Sequence, residues 1–292
     1  MFLDTPKSSG SKTSSGIYIL KANGDREVFS RSKLERSMRR SGATKPLIDK
    51  IVPQVETKIH DGIKTSEIYG YALSLLHKEQ KTTAVRYSLR RAVSELGPSG
   101  FAFEKYVAEI FKAQGYETKV DQLVQGECVE HEVDVVAWDN RQLIMVEAKF
   151  HNDGGMKSDL KVALYIKARF DDLRRAVFNG YGRDGRKMTQ GWLITNTKFS
   201  SSAIQYGLCQ NMKMVGWNFP HITNLHNMIE ITGTIPLTVL TSLTQYEKGQ
   251  LLEKGIVLCK QLIRPEPLLE IGINRKRVDE ILREAGESHQ VV

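Results

Sequence analysis

Hydrophobic side chains recur along the chain with two different periods, one typical of strands and the other typical of helices. Residues 133–138 and 143–150 are rich in Val, Ile and aromatic side chains, and the Asp, Asn and Arg between them favour a turn. Residues 158–178 instead place apolar side chains three or four positions apart. The face that they form consists of Val162, Ile166, Phe170, Leu173 and Val177. The middle of the chain therefore predicts a β-hairpin followed by an amphipathic helix.

The N-terminal third of the chain predicts a short hairpin and several helices. Residues 17–29 alternate in two short runs around Ala-Asn-Gly, a strong turn signal. Pro46 suits a first helical turn, and we predict Thr65 and Thr82 as N-caps. The helical patterns cover residues 32–41, 46–60, 65–78 and 82–96.

Breaks in these periods divide the chain into four parts. Residues 1–15 contain Ser, Thr, Lys and Gly without periodicity, and the Leu-Gly-Pro-Ser-Gly sequence at 96–100 is typical of a domain junction. Beyond residue 220 the helical patterns cover 244–254, 257–263, 265–270 and 275–285. We therefore predict a disordered tail at 1–15, domains at 16–96 and 97–222, and a small all-α domain at 229–286.

Acidic side chains stand on the central hairpin where its fold does not require them. If residues 139–142 form a four-residue loop, Trp138 lies opposite Leu143 and Asp134 lies opposite Glu147. Lys149 then shares their face, because side chains alternate along a strand. Two neighbouring carboxylates repel each other, and a divalent cation such as Mg²⁺ between them removes the repulsion. The alternative is an ordinary solvated face of a strand pair.

The spacing of these residues resembles the active site of the PD-(D/E)xK nuclease superfamily. Asp134 is followed by a hydrophobic run and then by Glu147-Ala-Lys149, although no proline precedes Asp134. Residues 100–120, GFAFEKYVAEIFKAQGYETKV, are similar to the first helix and strand of Mrr-type restriction endonucleases. Residues 191–207 and 215–220 resemble their closing strand, helix and strand. In that group an acidic residue at the position of Glu104 joins the metal site, while many members carry Gln at the position of Glu147.

This resemblance implies a fold and a reaction. The fold is a mixed β-sheet flanked by helices, and the reaction is Mg²⁺-dependent hydrolysis of DNA, in restriction or in defence against foreign DNA. Asp134, Glu147 and Glu104 are then the expected metal ligands, and Lys149 positions the attacking water. Lys161, on the basic surface of the helix at 158–178, is a candidate phosphate contact. His151 is either a proton relay or an ordinary loop histidine.

Residues 17–95 resemble a second family, the ATP-cone, a small α+β nucleotide-sensing domain with a hairpin and four helices. The quoted similarity runs from IYILKANGDREVFSRSKLERSMRRSGA to TTAVRYSLRRAV. It implies that ATP or dATP binds as a regulatory ligand and that the protein forms a homo-oligomer. The alternatives are that the basic residues form a solvated face and that Tyr87 is a core residue. The residues at the nucleotide-contacting positions are Lys21, Gly24, Arg26, Lys33 and Tyr87.

The C-terminal helices and their glycine-containing turns resemble helix-hairpin-helix modules, which bind DNA phosphates through turn amides. Structural packing is an equal alternative. The basic side chains of this region are Lys260, Arg264, Arg275, Lys276 and Arg277.

Composition narrows the class of protein. The 292 residues are 40% hydrophobic and 26% charged, enough for two or three small cores. A formal charge of +8 favours a polyanionic partner such as DNA, and no apolar run is long enough to span a membrane. The three cysteines are isolated, which fits a reducing cytoplasm. A non-catalytic, nucleotide-responsive DNA-binding regulator and a structure-selective junction resolvase remain as alternatives to the nuclease.

Overall fold

A computed structural model describes residues 16–21 and 23–289. The tail predicted at 1–15, and Ala22 of the first turn, lie outside the described residues. The chain forms two compact units that divide between Tyr87 and Ser88, within one helix. The predicted domain boundaries at 96/97 and between 222 and 229 remain predictions. No helix in the described ranges combines the length and hydrophobicity needed to cross a membrane.

The first unit combines a small sheet with helices, as predicted. The strand order is β2-β1-β3, with β2 antiparallel and β3 parallel to β1. The strands are β1 (Tyr18–Leu20), β2 (Arg26–Val28) and β3 (Ile63–Lys64). The helices are α1 (Arg31–Arg40), α2 (Lys45–Glu56), α3 (Thr65–Glu79) and the first half of α4 (Lys81–Ser94). The sequence analysis missed β3, because two residues are too few to show a period.

Local signals explain where most of these helices begin. The Ser30 hydroxyl accepts from the Lys33 amide at the start of α1, and Pro46 lies in the first turn of α2. The predicted N-caps at Thr65 and Thr82 are wrong, because α3 begins with Thr65 itself and α4 begins one residue before Thr82. The core of this unit includes Leu34, Met38, Ile48, Ile51, Val52, Val55, Ile63, Ala72 and Leu76.

The second unit is organised on a mixed five-stranded sheet of order β10-β8-β6-β5-β4. Strands β4, β5 and β6 are antiparallel neighbours, while β6, β8 and β10 run parallel. A separate two-stranded sheet pairs β7 with β9. The strands are β4 (Glu117–Gln125), β5 (Glu130–Trp138), β6 (Leu143–Lys149), β7 (Lys157–Ser158), β8 (Gln190–Thr195), β9 (Lys198–Phe199) and β10 (Lys213–Val215).

Helices cover both faces of this sheet. Helix α5 (Phe101–Ala113) contacts β4, β5 and β6, and buries Phe103, Tyr106 and Phe111 completely. Helix α6 (Leu160–Arg175) begins at the cap Asp159 and packs with α7 (Ser201–Cys209). The other side chains of their shared core include Val136, Trp138, Met145, Ile166, Phe170, Leu173, Leu193 and Ala203. The sheet flanked by helices is therefore the predicted fold.

The C-terminal part of the second unit is helical. Its helices are α8 (Leu225–Thr232), α9 (Gln245–Glu253), α10 (Glu266–Glu270) and α11 (Arg275–His289). Helix α8 was not predicted, and the pattern at 257–263 forms only a 3₁₀ turn at Cys259–Gln261. Arg277 donates to Glu247 at 2.5 Å and to the Ser242 carbonyl at 2.6 Å. This side chain therefore joins two helical segments.

Candidate active site

The central hairpin has the register that the four-residue loop predicted. Trp138 pairs with Leu143 and Val136 with Met145, and one further step places Asp134 opposite Glu147. Since directly opposed residues point to the same side of a sheet, these carboxylates share a face. Lys149 lies two residues farther on β6, beside Thr195 of β8. The hairpin therefore presents Asp, Glu and Lys together.

Side chains fix the turn of this hairpin. One Asp139 carboxylate oxygen accepts from the Arg141 amide at 2.7 Å and from the Gln142 amide at 2.6 Å. Arg186 donates to the carbonyls of Asp139 and Gln142, both at 2.7 Å. Because a shift by one residue would reverse every side chain, these bonds protect the position of Asp134.

The two carboxylates are not an ordinary solvated face. The Glu147 side chain is only 15% exposed, and helix α6 covers it. Asp134 is also half-buried, and its carboxylate accepts from the Ala148 amide at 2.7 Å. Lys149 by contrast is exposed. The site is thus a partly covered acidic pair with an accessible amine at its edge.

Glu104 belongs to the same electrostatic cluster. Burial, followed by the charges of Asp134, Asp121 and Glu132, raises the pKa of Glu104 to about 7. Burial and the charge of Asp134 likewise raise the pKa of Glu147 to about 7. Burial also raises the pKa of Asp134 above its usual value. Glu104 on α5 therefore lies close enough to the hairpin carboxylates to share their field.

Asp121 is a member of this cluster that the sequence analysis did not single out. It interrupts the β4–β5 register at the position opposite Asp134 and has a φ of 53°, a conformation that few residues other than glycine adopt. The local signal was only a polar residue within a strand. Its part in the cluster depends on the pairing of β4 with β5.

Arg169 is the second residue that the sequence analysis missed at this site, where it was one of several basic residues on a helix. Its Nη1 donates to Glu147 Oε2 at 2.5 Å and to the Glu132 carbonyl at 2.9 Å. Its Nη2 donates to the Tyr165 hydroxyl at 2.7 Å. The helical spacing placed Arg169 beside the apolar face of α6, which was the available signal.

The donor set fits a hard divalent cation. Glu104, Asp134 and Glu147 offer carboxylate oxygens, the ligands that Mg²⁺ prefers, and the charge of Asp134 raises the pKa values of the other two. Within residues 16–21 and 23–289, no hydrogen-bond donor is bound to the Glu104 carboxylate. A cation held by these residues would relieve the repulsion that the chain itself leaves in place.

The two remaining candidate site residues, His151 and Lys161, have different surroundings from each other. The His151 ring bonds through Nε2 to Ser158 Oγ at 3.0 Å, and burial lowers its pKa. Its backbone and Asn196 exchange two hydrogen bonds. His151 thus links the end of β6 to β7, whereas Lys161 is exposed on α6.

A second group of polar residues lies beside the site, at the turn between β4 and β5. Asp172 of α6 accepts from the Cys128 and Val129 amides at 2.8 and 3.3 Å, and bonds to His131 Nε2 at 2.8 Å. The His131 bond and these amides lower the pKa of Asp172 to about 2. We call this arrangement, consisting of Asp172, His131 and the two amides, the Asp172 clamp.

The expected nucleotide-binding residues lie on the β1–β2 hairpin and on α1. Gly24 has a φ of 85° in the turn, and its amide donates to the Lys21 carbonyl at 3.0 Å. Lys21 and Lys33 both form ion pairs with Glu27. The structure therefore brings these two lysines together on one carboxylate.

The other two expected residues have separate partners. Arg26 pairs with Asp61 at 3.3 Å and lies over the Tyr18 ring. Tyr87 stacks on Tyr69 with ring centroids 5.2 Å apart and packs against the core of the first unit. These contacts agree with the alternative that Tyr87 is a core residue, and its role toward a nucleotide stays a prediction.

A restriction-endonuclease-like sheet that carries Asp, Glu and Lys on one face defines a protein of the PD-(D/E)xK nuclease class. Family models agree with this class: "Restriction endonuclease" matches residues 97–225, "ATP cone domain" matches residues 17–95, and "AF1548-like, C-terminal" matches residues 236–287. The predicted fusion of an ATP-cone to an Mrr-like nuclease domain is therefore confirmed.

The chain belongs to the family of AF1548-like proteins. It is 36% identical over 181 residues to an uncharacterized protein of Archaeoglobus fulgidus, across 61% of this chain and 97% of that protein. The crystal structure of the protein of unknown function AF1548 is 34% identical and superposes with a TM-score of 0.54, over 66% of this chain and all of the other. The MspJI restriction endonuclease with a 27-mer oligonucleotide, 14% identical with a TM-score of 0.35, adds nothing to this assignment.

Proposed function

We propose that this protein is a Mg²⁺-dependent DNA endonuclease whose activity is adjusted by ATP or dATP. The observation that carries the proposal is the register of the β5–β6 hairpin, which aligns Asp134, Glu147 and Lys149 within a restriction endonuclease domain. A role in restriction or in defence against foreign DNA, in the cytoplasm, is part of the proposal.

The residues of the site have distinct roles in this proposal. Asp134, Glu147 and Glu104 hold Mg²⁺, which supplies a Lewis acid that offsets the charge of the phosphate. The exposed Lys149 amine positions the attacking water and donates to the phosphate oxygens as negative charge develops on them. The exposed Lys161 and Arg174 of α6 contact the DNA backbone.

Nucleotide control is assigned to the first unit. A triphosphate carries several negative charges, and Lys21 and Lys33 already converge on the Glu27 carboxylate. Phosphate oxygens at the position of the Glu27 carboxylate would accept hydrogen bonds from both ammonium groups, next to the turn at Gly24. We propose that ATP or dATP binds there and changes the association of copies of the chain.

A specific observation favours a second candidate function, that of a non-catalytic nucleotide-responsive DNA-binding regulator. Arg169 neutralises Glu147, so one of the two hairpin carboxylates already has a positive partner within the chain. A site that no longer holds a metal would benefit from such a partner. A junction resolvase differs from the nuclease only in its DNA substrate.

The experiment that tests the proposal is cleavage of plasmid and linear DNA by the full chain with Mg²⁺, with and without ATP or dATP. Lys149→Ala is measured beside the wild type, and Arg141→Ala, at the exposed turn of the same hairpin, is the matched control. Cleavage that requires Mg²⁺, disappears in Lys149→Ala and persists in Arg141→Ala supports the nuclease.

The alternatives give different results in the same assay. DNA binding that responds to ATP, without cleavage under any nucleotide, supports the regulator. Cleavage confined to branched DNA in a panel of duplex, single-stranded and four-way substrates supports the resolvase.

A further inference from the structure

Arg169 is held at the candidate metal site by contacts with three different residues. Its guanidinium donates to Glu147, to the Glu132 carbonyl and to the Tyr165 hydroxyl, and its central carbon lies 5.0 Å from the centre of the Tyr165 ring. Both charged side chains of the Arg169–Glu147 pair are largely buried, at 14% and 15% exposure. The hydrogen bond in this pair joins two charged groups and is therefore stronger than one between neutral groups.

This ion pair is not a fully satisfied structural bridge. Among the described residues, the buried Nε of Arg169 has no hydrogen-bond partner. A structural pair that had been selected for stability alone would be expected to satisfy its buried donors. Within the described residues, one N–H donor of the guanidinium is therefore unpaired beside an acidic cluster.

A divalent cation and Arg169 compete for the same carboxylate. Arg169 Nη1 occupies Glu147 Oε2, one of the oxygens that a shared metal ion would use, and the charge of Arg169 acts on Asp134 as well. Two cations on one carboxylate repel each other, and the ion with the higher charge is attracted more strongly. Cation binding by Asp134 and Glu147 would therefore weaken or break the contact of Arg169 with Glu147.

The surroundings of Arg169 offer a released guanidinium a second position. A groove of about 510 Å³ lies beside it, and its lining includes Tyr165, His131, Arg175 and the carboxylates of Asp171 and Asp172. The Tyr165 side chain is 61% exposed and keeps its contact with the guanidinium at the wall of this groove. Arginine presents five donors in a planar fork that matches a phosphate group.

We propose that Arg169 binds the scissile phosphate and that it transfers to the phosphate from Glu147 when the divalent cation binds. This inference rests on the proposed nuclease function and adds a residue to its site. Arg169 then serves both as the counter-ion of Glu147 and as a ligand of the substrate, so that cation and DNA binding are coupled.

The exchange predicts effects of opposite sign for one substitution. In Arg169→Ala, the carboxylate no longer has an internal competitor, and we expect Mn²⁺ to bind about tenfold more tightly. The phosphate loses a charged donor, and we expect the cleavage rate constant at saturating Mn²⁺ to fall by about a hundredfold or more. A residue that merely supports the fold would lower both quantities.

The measurement is isothermal titration of the full chain with Mn²⁺ alone, followed by single-turnover cleavage of plasmid DNA. Arg141→Ala removes the same charge at the far end of the hairpin and is expected to leave both quantities unchanged. Arg169→Lys keeps the charge without the fork, and we expect wild-type Mn²⁺ affinity with reduced cleavage. Circular dichroism establishes that each variant is folded.

Each departure from these results overturns a defined part of the inference. If folded Arg169→Ala binds Mn²⁺ no more tightly than the wild type, the competition is absent. If it binds more tightly but cleaves at the wild-type rate, Arg169 is only a counter-ion. If the wild type binds Mn²⁺ and cleaves DNA, and the Arg169 variants have the same affinity and cleavage rate, this inference alone is overturned. If the wild type neither binds Mn²⁺ nor cleaves DNA, the proposed function is overturned as well. If Arg169→Ala is unfolded, reduced cleavage in folded Arg169→Lys supports the phosphate contact, and unreduced cleavage overturns it.

Discussion

Two groups of polar residues lie close together in the second unit, and they differ in what surrounds their carboxylates. In the candidate active site, burial and the charge of Asp134 raise the pKa values of Glu104 and Glu147 to about 7. In the Asp172 clamp, hydrogen bonds from His131 and from two amides lower the pKa of Asp172 to about 2. Among the described residues, Asp134 accepts from the Ala148 amide, Glu147 pairs with Arg169 and Glu104 has no hydrogen-bond donor, whereas Asp172 accepts from three donors.

The comparison shows that closeness of acidic groups does not by itself define a metal site. Ligand atoms of Glu127, Cys128 and Asp172 lie within 4.8 Å of one another, yet donors of the chain already bind Asp172. Glu127 also forms an ion pair with Arg175 at 3.0 Å. The carboxylates of this second group are therefore already paired within the chain, which does not favour a cation there.

The difference between the two groups can be tested by neutralising one carboxylate in each. We expect Asp134→Asn to lower Mg²⁺-dependent cleavage by at least about a thousandfold, because a metal ligand is lost. The asparagine carbonyl can still accept from the Ala148 amide, so we expect the fold to persist. Single-turnover cleavage and thermal unfolding check both parts. Loss of cleavage of the same size in Asp172→Asn would contradict the distinction between the clusters.

The second prediction concerns the stability of the Asp172 clamp. In Asp172→Ala the Cys128 and Val129 amides lose their acceptor, and we expect their hydrogen exchange to accelerate by about tenfold or more. The lowered pKa stabilises the fold above the ordinary aspartate pKa, and this stabilisation disappears as the pH falls toward 2. The difference in Tm between wild type and variant should therefore shrink between pH 4 and pH 2.

The neighbouring Asp171 provides the control for this prediction. It is partly exposed and pairs with Lys167 of the same helix at 2.5 Å. Because both amides donate to Asp172 and not to Asp171, Asp171→Ala should leave their exchange unchanged. Equal acceleration in the two variants would show that general fraying of α6, and not the clamp, sets the exchange rates.

The third prediction has the opposite dependence on pH. Its raised pKa makes ionised Glu104 unfavourable in the folded state, so Glu104→Gln should stabilise the metal-free protein at pH 8 by about 1 kcal/mol, after allowance for its exposed half. Between pH 7 and the ordinary glutamate pKa the folded wild type takes up the proton, and this advantage should decline. Urea unfolding in EDTA at pH 8 and pH 5 measures it. An advantage that grows toward pH 5 would contradict the repulsion.

The smallest expected effect extends the comparison to Glu27 in the first unit, a carboxylate with two lysine partners. Glu27→Gln should free Lys21 and Lys33 and raise the affinity for ATP by about twofold to fivefold at low salt, because exposed ion pairs are weak and screened. Fluorescence titration with a labelled ATP measures the change. Asp49→Asn, which removes the exposed pair with Lys45 in α2, is the control and should not alter the affinity.

Local patterns and family resemblance predicted most of the fold. At the candidate site they singled out Asp134, Glu147, Lys149 and Glu104, but not Asp121 or Arg169. The hairpin register followed from the even length of the loop between Trp138 and Leu143, and the observed pairing confirms it. The fusion of the two domains followed from motif resemblance and is confirmed by the family matches. Short elements such as β3, and the N-caps of α3 and α4, were missed or misplaced because propensity alone does not fix helix ends.

The residues that the sequence could not reveal are those whose positions depend on tertiary contacts. Arg169 looks like any basic residue of a helix until α6 packs on the sheet and brings it to Glu147. Asp121 looks like a polar strand position until its φ of 53° and its charge on Glu104 are known. Asp172 likewise acquires its partners only when α6 meets the β4–β5 turn.

The fixed length of the β5–β6 turn has a consequence for how the gene can change. Substitutions at Asn140 or Arg141, both exposed, leave the pairing of the strands intact. After insertion or deletion of a single codon there, the turn hydrogen bonds of Asp139 and Arg186 and the pairing of β5 with β6 could no longer form together. If the pairing shifted by one residue, Asp134 would move to the opposite face of the sheet. Among descendants of this sequence, the identities of residues 140 and 141 are therefore free to change, while the number of loop residues is not.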